Sequence, residues 1–334
     1  IVVLMPAPLQ QARAPEETTL PVLSLANHSR GDTLADALRK VCIDDGFFYL
    51  KDHGISQAAI DSMFDLSSEY FINAPEHEKI KGDGDTGYTA FLDSLMPGAG
   101  DMKESFYLAD AAWLNKSGRK QTLPQTLALH RTEIDGFFAQ CSSTASLLLE
   151  GLAHALKLPV DFLTNRHNGE HSRLRMLHYP PVYNDRRPME SNAEDIRAGA
   201  HTDYGSITLL FQHGVSGLQV QKGGKWIDVP PIPGSLVINI GDALEFWTCG
   251  LFRSTLHRVV MPRTAAERSS RYSLAFFVQP DGDTVLEPLF KNNNAEAMHF
   301  DEVIAKKGLQ PGTRTLTGAQ YLRKRIEATY KQSK

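Results

Sequence analysis

Two His-x-acid pairs stand out in the chain, His201-Thr-Asp203 and His299-Phe-Asp301. With 12 histidines and 39 acidic residues in 334 positions, roughly one or two such pairs arise by chance. Context separates them. His201-Thr-Asp203 precedes the β-type run ITLLFQ, which puts side chains at i and i+2 on one face of a strand end. His257 opens a later β-type run, HRVVM, and the same β-core can bring it round. His299 lies beyond that core with no histidine after it and is not taken as a ligand. Two imidazoles and one carboxylate can cap one face of an octahedron and leave three positions open, as non-haem Fe(II) requires to hold a cosubstrate and O2. The same three residues could also hold zinc, or be surface groups.

Arg271-Tyr-Ser273 follows His257 by 14 residues, in the run RYSLAFFV. Arg271 and Ser273 alternate with Tyr272 and so face the same way. A guanidinium beside a hydroxyl inside a β-core suits bidentate capture of a carboxylate. Buried without an anion it would be costly, so either a ligand or an internal Asp or Glu must meet it. Other apparent motifs fail on context. Gly82-Asp83-Gly84-Asp85-Thr86-Gly87 satisfies GxGxxG but follows a helix, and its aspartates would repel a pyrophosphate. It is no EF-hand either, because the twelfth position is Ser94 rather than Glu.

The elements that must position these residues follow from periodicity. Residues 1–19 are rich in Pro, Gln and Glu and are expected to be flexible. Residues 20–123 read as an α/β region, with a strand at 20–25, a helix at 33–45, the strand FFYLK at 47–51, a helix at 56–71 and a Gly/Pro loop at 82–103. A long scaffold helix is expected from Pro124 to about Leu156, within a connecting segment 124–170. Residues 171–282 hold short β-runs separated by turns, among them a hairpin at Gly223-Gly224, the pattern of a sandwich or barrel. Residues 283–334 close the chain with a helix after Thr317. The fold class is mixed α/β with an all-β core, one integrated catalytic unit.

Composition narrows the function classes. The net charge is −4, which lacks the basic stripe that nucleic acid requires. No run reaches the roughly 18 apolar residues of a membrane helix. The three scattered cysteines, Cys42, Cys141 and Cys249, form neither a disulfide framework nor a CxxC site and suit a reducing cytoplasm. Oligomeric state is not readable.

The strings HTDYGSITLLFQ (201–212), PGSLVINIGDALEFWTCG (233–250), STLHRVV (254–260) and RYS (271–273) resemble the 2-oxoglutarate-dependent Fe(II) dioxygenases of the isopenicillin-N-synthase-like group. LPVLSL (20–25) and DDGFFYLKDHGI (44–55) are similar to that group's N-terminal region, so the resemblance spans about residues 20–330. It implies a double-stranded β-helix, or jelly roll, flanked by helices. It implies His201, Asp203 and His257 as iron ligands, with Arg271, Ser273 and Tyr179 at the C5 carboxylate of 2-oxoglutarate. Many plant members carry Asn two positions before that tyrosine, where this chain has Leu177. The implied reaction consumes O2 and 2-oxoglutarate and releases succinate and CO2. It hydroxylates, desaturates or rearranges a small organic substrate of the kind met in specialised metabolism. Two alternatives stand beside it: a 2-oxoglutarate-independent oxidase on the same scaffold, and an inactive jelly-roll binding module. For substrate contact the candidates are Arg175, which shares a strand face with Tyr179, together with Tyr88, Phe91, Phe106, Phe246 and Trp247. The last two are read as part of a strand, while Asn239 and Asp242 are read as turn stabilisers.

Overall fold

The structure, a computed structural model, describes residues 19–26, 32–82, 86–90, 102–182, 196–289 and 294–332. Phe91, Ser94 and most of the N-terminal segment 1–19 lie outside the described residues. Apolar alternation builds the strands. β1 (Val22–Ser24) pairs parallel with β2 (Phe47–Lys51), and β3 (Gly87–Thr89) pairs antiparallel with β4 (Glu104–Ala109). The remaining strands are β5 (Arg173–Tyr179), β6 (Ile196–His201), β7 (Ile207–His213), β8 (Leu218–Lys222), β9 (Lys225–Asp228), β10 (Ser235–Ile240), β11 (His257–Val260) and β12 (Arg271–Val278).

They form an eight-stranded sheet in the order β1-β2-β10-β7-β12-β5-β4-β3 and a four-stranded sheet in the order β6-β11-β8-β9. This is the jelly-roll core expected from the β-runs, with His201 and His257 on the smaller sheet, Asp203 just beyond the end of β6, and Arg271 on the larger sheet. The β8–β9 turn is Gly223-Gly224 with both residues at positive φ (57° and 77°), the backbone a tight hairpin demands and glycine supplies without strain.

Period-2 patterning decides which side chains see the site. On β5, β7, β10 and β12, one set of alternate residues (Leu174, Met176, Leu209, Phe211, Ile238, Leu274, Phe276) packs into the main apolar core. That core includes buried residues of α1 (Asp32–Asp44), α2 (Gln57–Ser68) and α5 (Arg131–Ala155). The other set (Arg175, Leu177, Tyr179, Thr208, Leu210, Asn239, Arg271, Ser273, Ala275) faces the space between the sheets. The larger sheet therefore has a dry helix-backed face and a mixed face that carries the chemistry.

Several expectations need correction. The long helix is interrupted: after the short α3 (Ala111–Ser117) come α4 (Gln125–Ala128) and then α5, with a break at Leu129–His130. β4 and β6 escaped the sequence reading because both mix polar and small residues into their alternation. Phe246 and Trp247 are not in a strand; they end α6 (Asp242–Trp247), whose backbone turns immediately after β10. The C-terminal segment holds two helices, α7 (Asn294–Lys306) and α8 (Gly318–Gln332), rather than one. His299 is exposed on α7, away from the site, and Asp301 there pairs with Arg314 at 2.7 Å.

Candidate metal centre

His201 ends β6, and His257 begins β11 as its direct cross-strand partner, so pairing register alone brings the two rings together, 4.3 Å between centroids. Asp203 follows two residues after His201, and its Oδ1 lies 4.0 Å from His201 Nε2 and 3.6 Å from His257 Nε2. One donor atom from each of the three lies within 4.8 Å of the others. Each imidazole is oriented by its far nitrogen: His201 Nδ1 donates to the Gly199 carbonyl (2.7 Å) and His257 Nδ1 to that of Thr255 (3.1 Å). That selects the tautomer whose Nε2 lone pair points at the common centre.

Asp203 is divided between two tasks. Its Oδ1 faces the histidines, while Oδ2 accepts from Thr208 Oγ1 (2.7 Å) and Asn239 Nδ2 (2.8 Å). Burial pushes this carboxyl's pKa up, but the histidines and the two hydrogen bonds outweigh it, leaving the group below its ordinary value and ionised. Burial, with the neighbouring His257, pushes His201 down to about 4 and keeps it neutral. Two imidazoles and a carboxylate are the donor set an Fe(II) facial site needs.

The loop carrying Asp203 is clamped from behind by α6. Asp242 N–H donates to the Asp203 carbonyl (2.7 Å), and Gly241 sits so close that a Cβ there would lie 2.2 Å from the Gly205 carbonyl oxygen. Asp242 is itself a fully buried hub. Its carboxylate meets Lys307 (2.6 Å), Arg325 of α8 (2.8 Å), Ser254 Oγ (2.6 Å) and the Thr202 hydroxyl between two of the candidate ligands (3.0 Å). Asn239 and Asp242 are therefore not turn stabilisers, as their sequence neighbourhood suggests. One holds Asp203, and the other ties the metal loop to the C-terminal helices.

Across the cavity, Arg271 pairs in register with Tyr179, and Ser273 with Leu177. Arg271 is buried and donates from Nη2 to Gln212 Oε1 (3.1 Å), while its Nε has no hydrogen-bond partner among the described residues. Arg197 behaves likewise: its Nη2 donates to the Pro180 carbonyl and its buried Nε is unsatisfied. The two guanidinium groups flank the Tyr179 ring at 5.3 and 5.0 Å. Burial pushes both below the usual arginine value, with Arg197 at about 10. An unsatisfied buried donor costs about 1–3 kcal/mol, so the Arg271 guanidinium facing the cavity is chemically suited to an anionic partner. The enclosing cavity is lined by the three candidate ligands, Arg271, Ser273, Tyr179, Arg175 and Lys103 among others.

Comparison with known proteins agrees with this geometry. Residues 170–280 match the model of the 2OG-Fe(II) oxygenase superfamily, and residues 20–126 match that of the non-haem dioxygenase in morphine synthesis N-terminal region. UPF0676 protein C1494.01 of Schizosaccharomyces pombe is 33% identical over 325 residues, covering 93% of this chain and 92% of its own. A homoarginine-6-hydroxylase of Glycine max is 32% identical over 268 residues, covering 75% and 79%. The crystal structure of a full-length Neurospora crassa protein in complex with alpha-KG (2-oxoglutarate) and thymine has a TM-score of 0.78 at 26% identity, covering 95% of this chain and 99% of that one. The chain belongs to the 2OG-Fe(II) oxygenase superfamily.

As a 2OG-Fe(II) oxygenase it is an oxidoreductase that uses Fe(II), 2-oxoglutarate and O2. The residues present fit these groups: the donor set suits the metal, and the unsatisfied Arg271 Nε suits a carboxylate. Of the substrate candidates, Arg175 alone among the described residues lines the cavity. Tyr88 and Phe106 are cross-strand neighbours packed against Tyr70 on the helix side, and Tyr88 donates to Glu104 (2.7 Å). Phe246 packs on Phe300 and Tyr321, and Trp247 on Phe162, all in the main core. Thr208, Gln212, Lys103 and Arg197 join the site without being among the sequence candidates. Thr208 and Gln212 had an available signal, since they alternate with Ile207, Leu209 and Phe211 and so face the cavity.

Proposed function

We propose that this oxygenase oxidises a small organic molecule, with His201, Asp203 and His257 holding Fe(II) and with Arg271, Ser273 and Tyr179 holding the C5 carboxylate of 2-oxoglutarate. The observation that carries the reading is the meeting, in one cavity, of a His-Asp-His donor set and a buried arginine whose Nε has no hydrogen-bond partner among the described residues. Bound iron and cosubstrate would supply the oxidising chemistry, in which O2 is consumed and 2-oxoglutarate leaves as succinate and CO2. The chain's own residues do the rest. Thr208 and Asn239 keep Asp203 Oδ1 turned to the metal position, and the Gly199 and Thr255 carbonyls hold both rings with Nε2 turned to it. Arg271, braced by Gln212, offers a fixed charge that orients the diacid, while Leu177, Ala198, Leu210 and Val259 keep the wall between apolar. Hydroxylation, desaturation and ring rearrangement all remain within reach of such a site. A small substrate is supported by relatives named for homoarginine and solved with thymine.

The test is anaerobic absorbance of the apoprotein with Fe(II), before and after 2-oxoglutarate is added. A broad charge-transfer band, lost in Arg271→Ala at limiting cosubstrate, is the expected result, followed by succinate release on substrate turnover. Stoichiometric iron binding with no band would instead mean an oxidase that uses no 2-oxoglutarate. No iron binding would leave only a jelly-roll binding module.

A further inference from the structure

The cavity has a second cationic end. On the β5–β12 ladder, Arg271 lies opposite Tyr179 and Arg175 opposite Ala275, four residues further along, or about 13 Å at strand rise. The two arginines also lean apart. Arg271 reaches toward β7 to Gln212, whereas Arg175 reaches toward β4, where its Nε donates to Ser105 Oγ (3.0 Å) and its guanidinium lies 4.5 Å over the Tyr107 ring. These two contacts fix the plane of the Arg175 fork. Neither involves a carboxylate, and its two terminal nitrogens have no acceptor among the described residues.

Lys103 lines the same cavity, and its charge is one of the influences that keep His201 unprotonated. Asp203 is the sole carboxylate among the described lining residues, and it faces the metal position. With Fe(II), Asp203, a 2-oxoglutarate dianion and Arg271 in place, those charges cancel. Arg175 and Lys103 are the lining cations outside that sum, and of the two it is the planar fork of Arg175, presented edge-on, that matches a carboxylate in two-point contact.

We propose that the β4–β5 end of the cavity is a subsite for an acidic group on the molecule being oxidised, a carboxylate, with Arg175 as its bidentate anchor and Ser105 and Tyr107 as the residues that aim it. This rests on the oxygenase reading above and names its substrate class: a small organic acid whose oxidised carbon sits between its carboxylate and the metal position. The apolar surfaces of Leu177, Leu210, Ala275 and Phe277 line the same space and suit a hydrocarbon body.

The experiment uses the full chain with Fe(II) and saturating 2-oxoglutarate under anaerobic conditions. Matched probes are titrated by calorimetry and by their perturbation of the charge-transfer band: hexanoate against hexanamide, benzoate against benzamide, 3-phenylpropionate against its amide. Acids are expected to bind at least ~10-fold tighter than their amides without displacing 2-oxoglutarate. Arg175→Gln is expected to reduce that preference to about twofold or less, leaving the 2-oxoglutarate half-saturation within about twofold. Ser105→Ala, which frees the fork without removing it, is expected to lose part of the preference and serves if Arg175→Gln does not fold. Equal binding of acids and amides, no acid binding, or acids that only compete with 2-oxoglutarate would each overturn the proposal. So would a large rise in 2-oxoglutarate half-saturation in Arg175→Gln, which would assign Arg175 to the cosubstrate. A missing band in the unaltered protein would refute the oxygenase reading instead, so the two failures are distinguishable.

Discussion

Asn239 is the residue whose role here departs furthest from its sequence neighbourhood, and its removal gives a quantitative test. Its Nδ2 lies 2.8 Å from Asp203 Oδ2, a carboxylate oxygen already accepting from Thr208 at 2.7 Å, with all three residues buried. A hydrogen bond to a charged group contributes about 1.5–3 kcal/mol. Asn239→Ala leaves Thr208 as the remaining donor to Oδ2, so the carboxylate can rotate and share Oδ1 between metal and solvent. Loss of one such orienting partner typically weakens a metal site 10–100-fold, about 1.4–2.7 kcal/mol. Thr208→Val keeps the shape of the side chain and should cost about as much. The double variant should lose less than the product of the two, because both donors serve one oxygen. Anaerobic Fe(II) titration against a chelating fluorophore reads the affinity, with circular dichroism confirming the fold. Affinity within twofold of the unaltered protein in all three folded variants would refute the claim that these residues hold the ligand.

Three further outcomes follow from the same contacts. Asp242→Asn should destabilise the protein by about 3–5 kcal/mol, because it leaves the buried Arg325 without its carboxylate and Lys307 with Glu245 alone (3.2 Å); thermal melting should drop by roughly 6 °C or more, and iron affinity should fall as Thr202 loosens. Gly241→Ala should be destabilising and impair metal binding, since its Cβ would lie 2.2 Å from the Gly205 carbonyl oxygen, a backbone atom that cannot rotate away; a melting temperature and iron affinity equal to those of the parent would contradict the packing. The third concerns pH. Burial holds His167 down to about 4, with Nδ1 donating to Leu163 O (2.7 Å) and Nε2 accepting from Ser206 Oγ (2.8 Å). A histidine with a lowered folded pKa takes up its proton more readily when unfolded. Its contribution is therefore whole above about 6.5 and is lost as pH falls toward 4, at most about 3 kcal/mol. Urea melts across that window should show the loss, and His167→Gln should flatten that part of the profile; an unchanged slope in the variant would contradict it.

Much of the architecture was legible because period-2 and period-3.6 patterns are local. β2, β5, β7, β8, β10 and β12 all appear where their alternation predicts, and α1, α2 and α8 follow their apolar stripes. α6 was misread as strand because its residues ALEFW are buried on every side, and a short run buried all round carries no period. β6 went unseen because IRAGAH spends its alternation on a cationic residue and small side chains. Tyr88, Phe106, Phe246 and Trp247 illustrate a second limit. Aromatic residues bury large area on either side of a sheet, and composition does not say which side is the core.

Residue types and spacing by themselves determined the candidates: two histidines and an aspartate at strand ends, then an Arg-x-Ser on a shared strand face, single out a donor set and a cation for which the chemistry can be proposed. Tertiary structure decided everything that depends on two distant strands meeting. The β6–β11 register sets one imidazole beside the other, and the β5–β12 register puts Tyr179 opposite Arg271 and sends Arg175 to the far end. β10 crosses behind the metal loop so that Asn239, 36 residues after Asp203, reaches its carboxylate. Such contacts arise from long-range pairing, in which each partner's sequence neighbourhood is silent about the other.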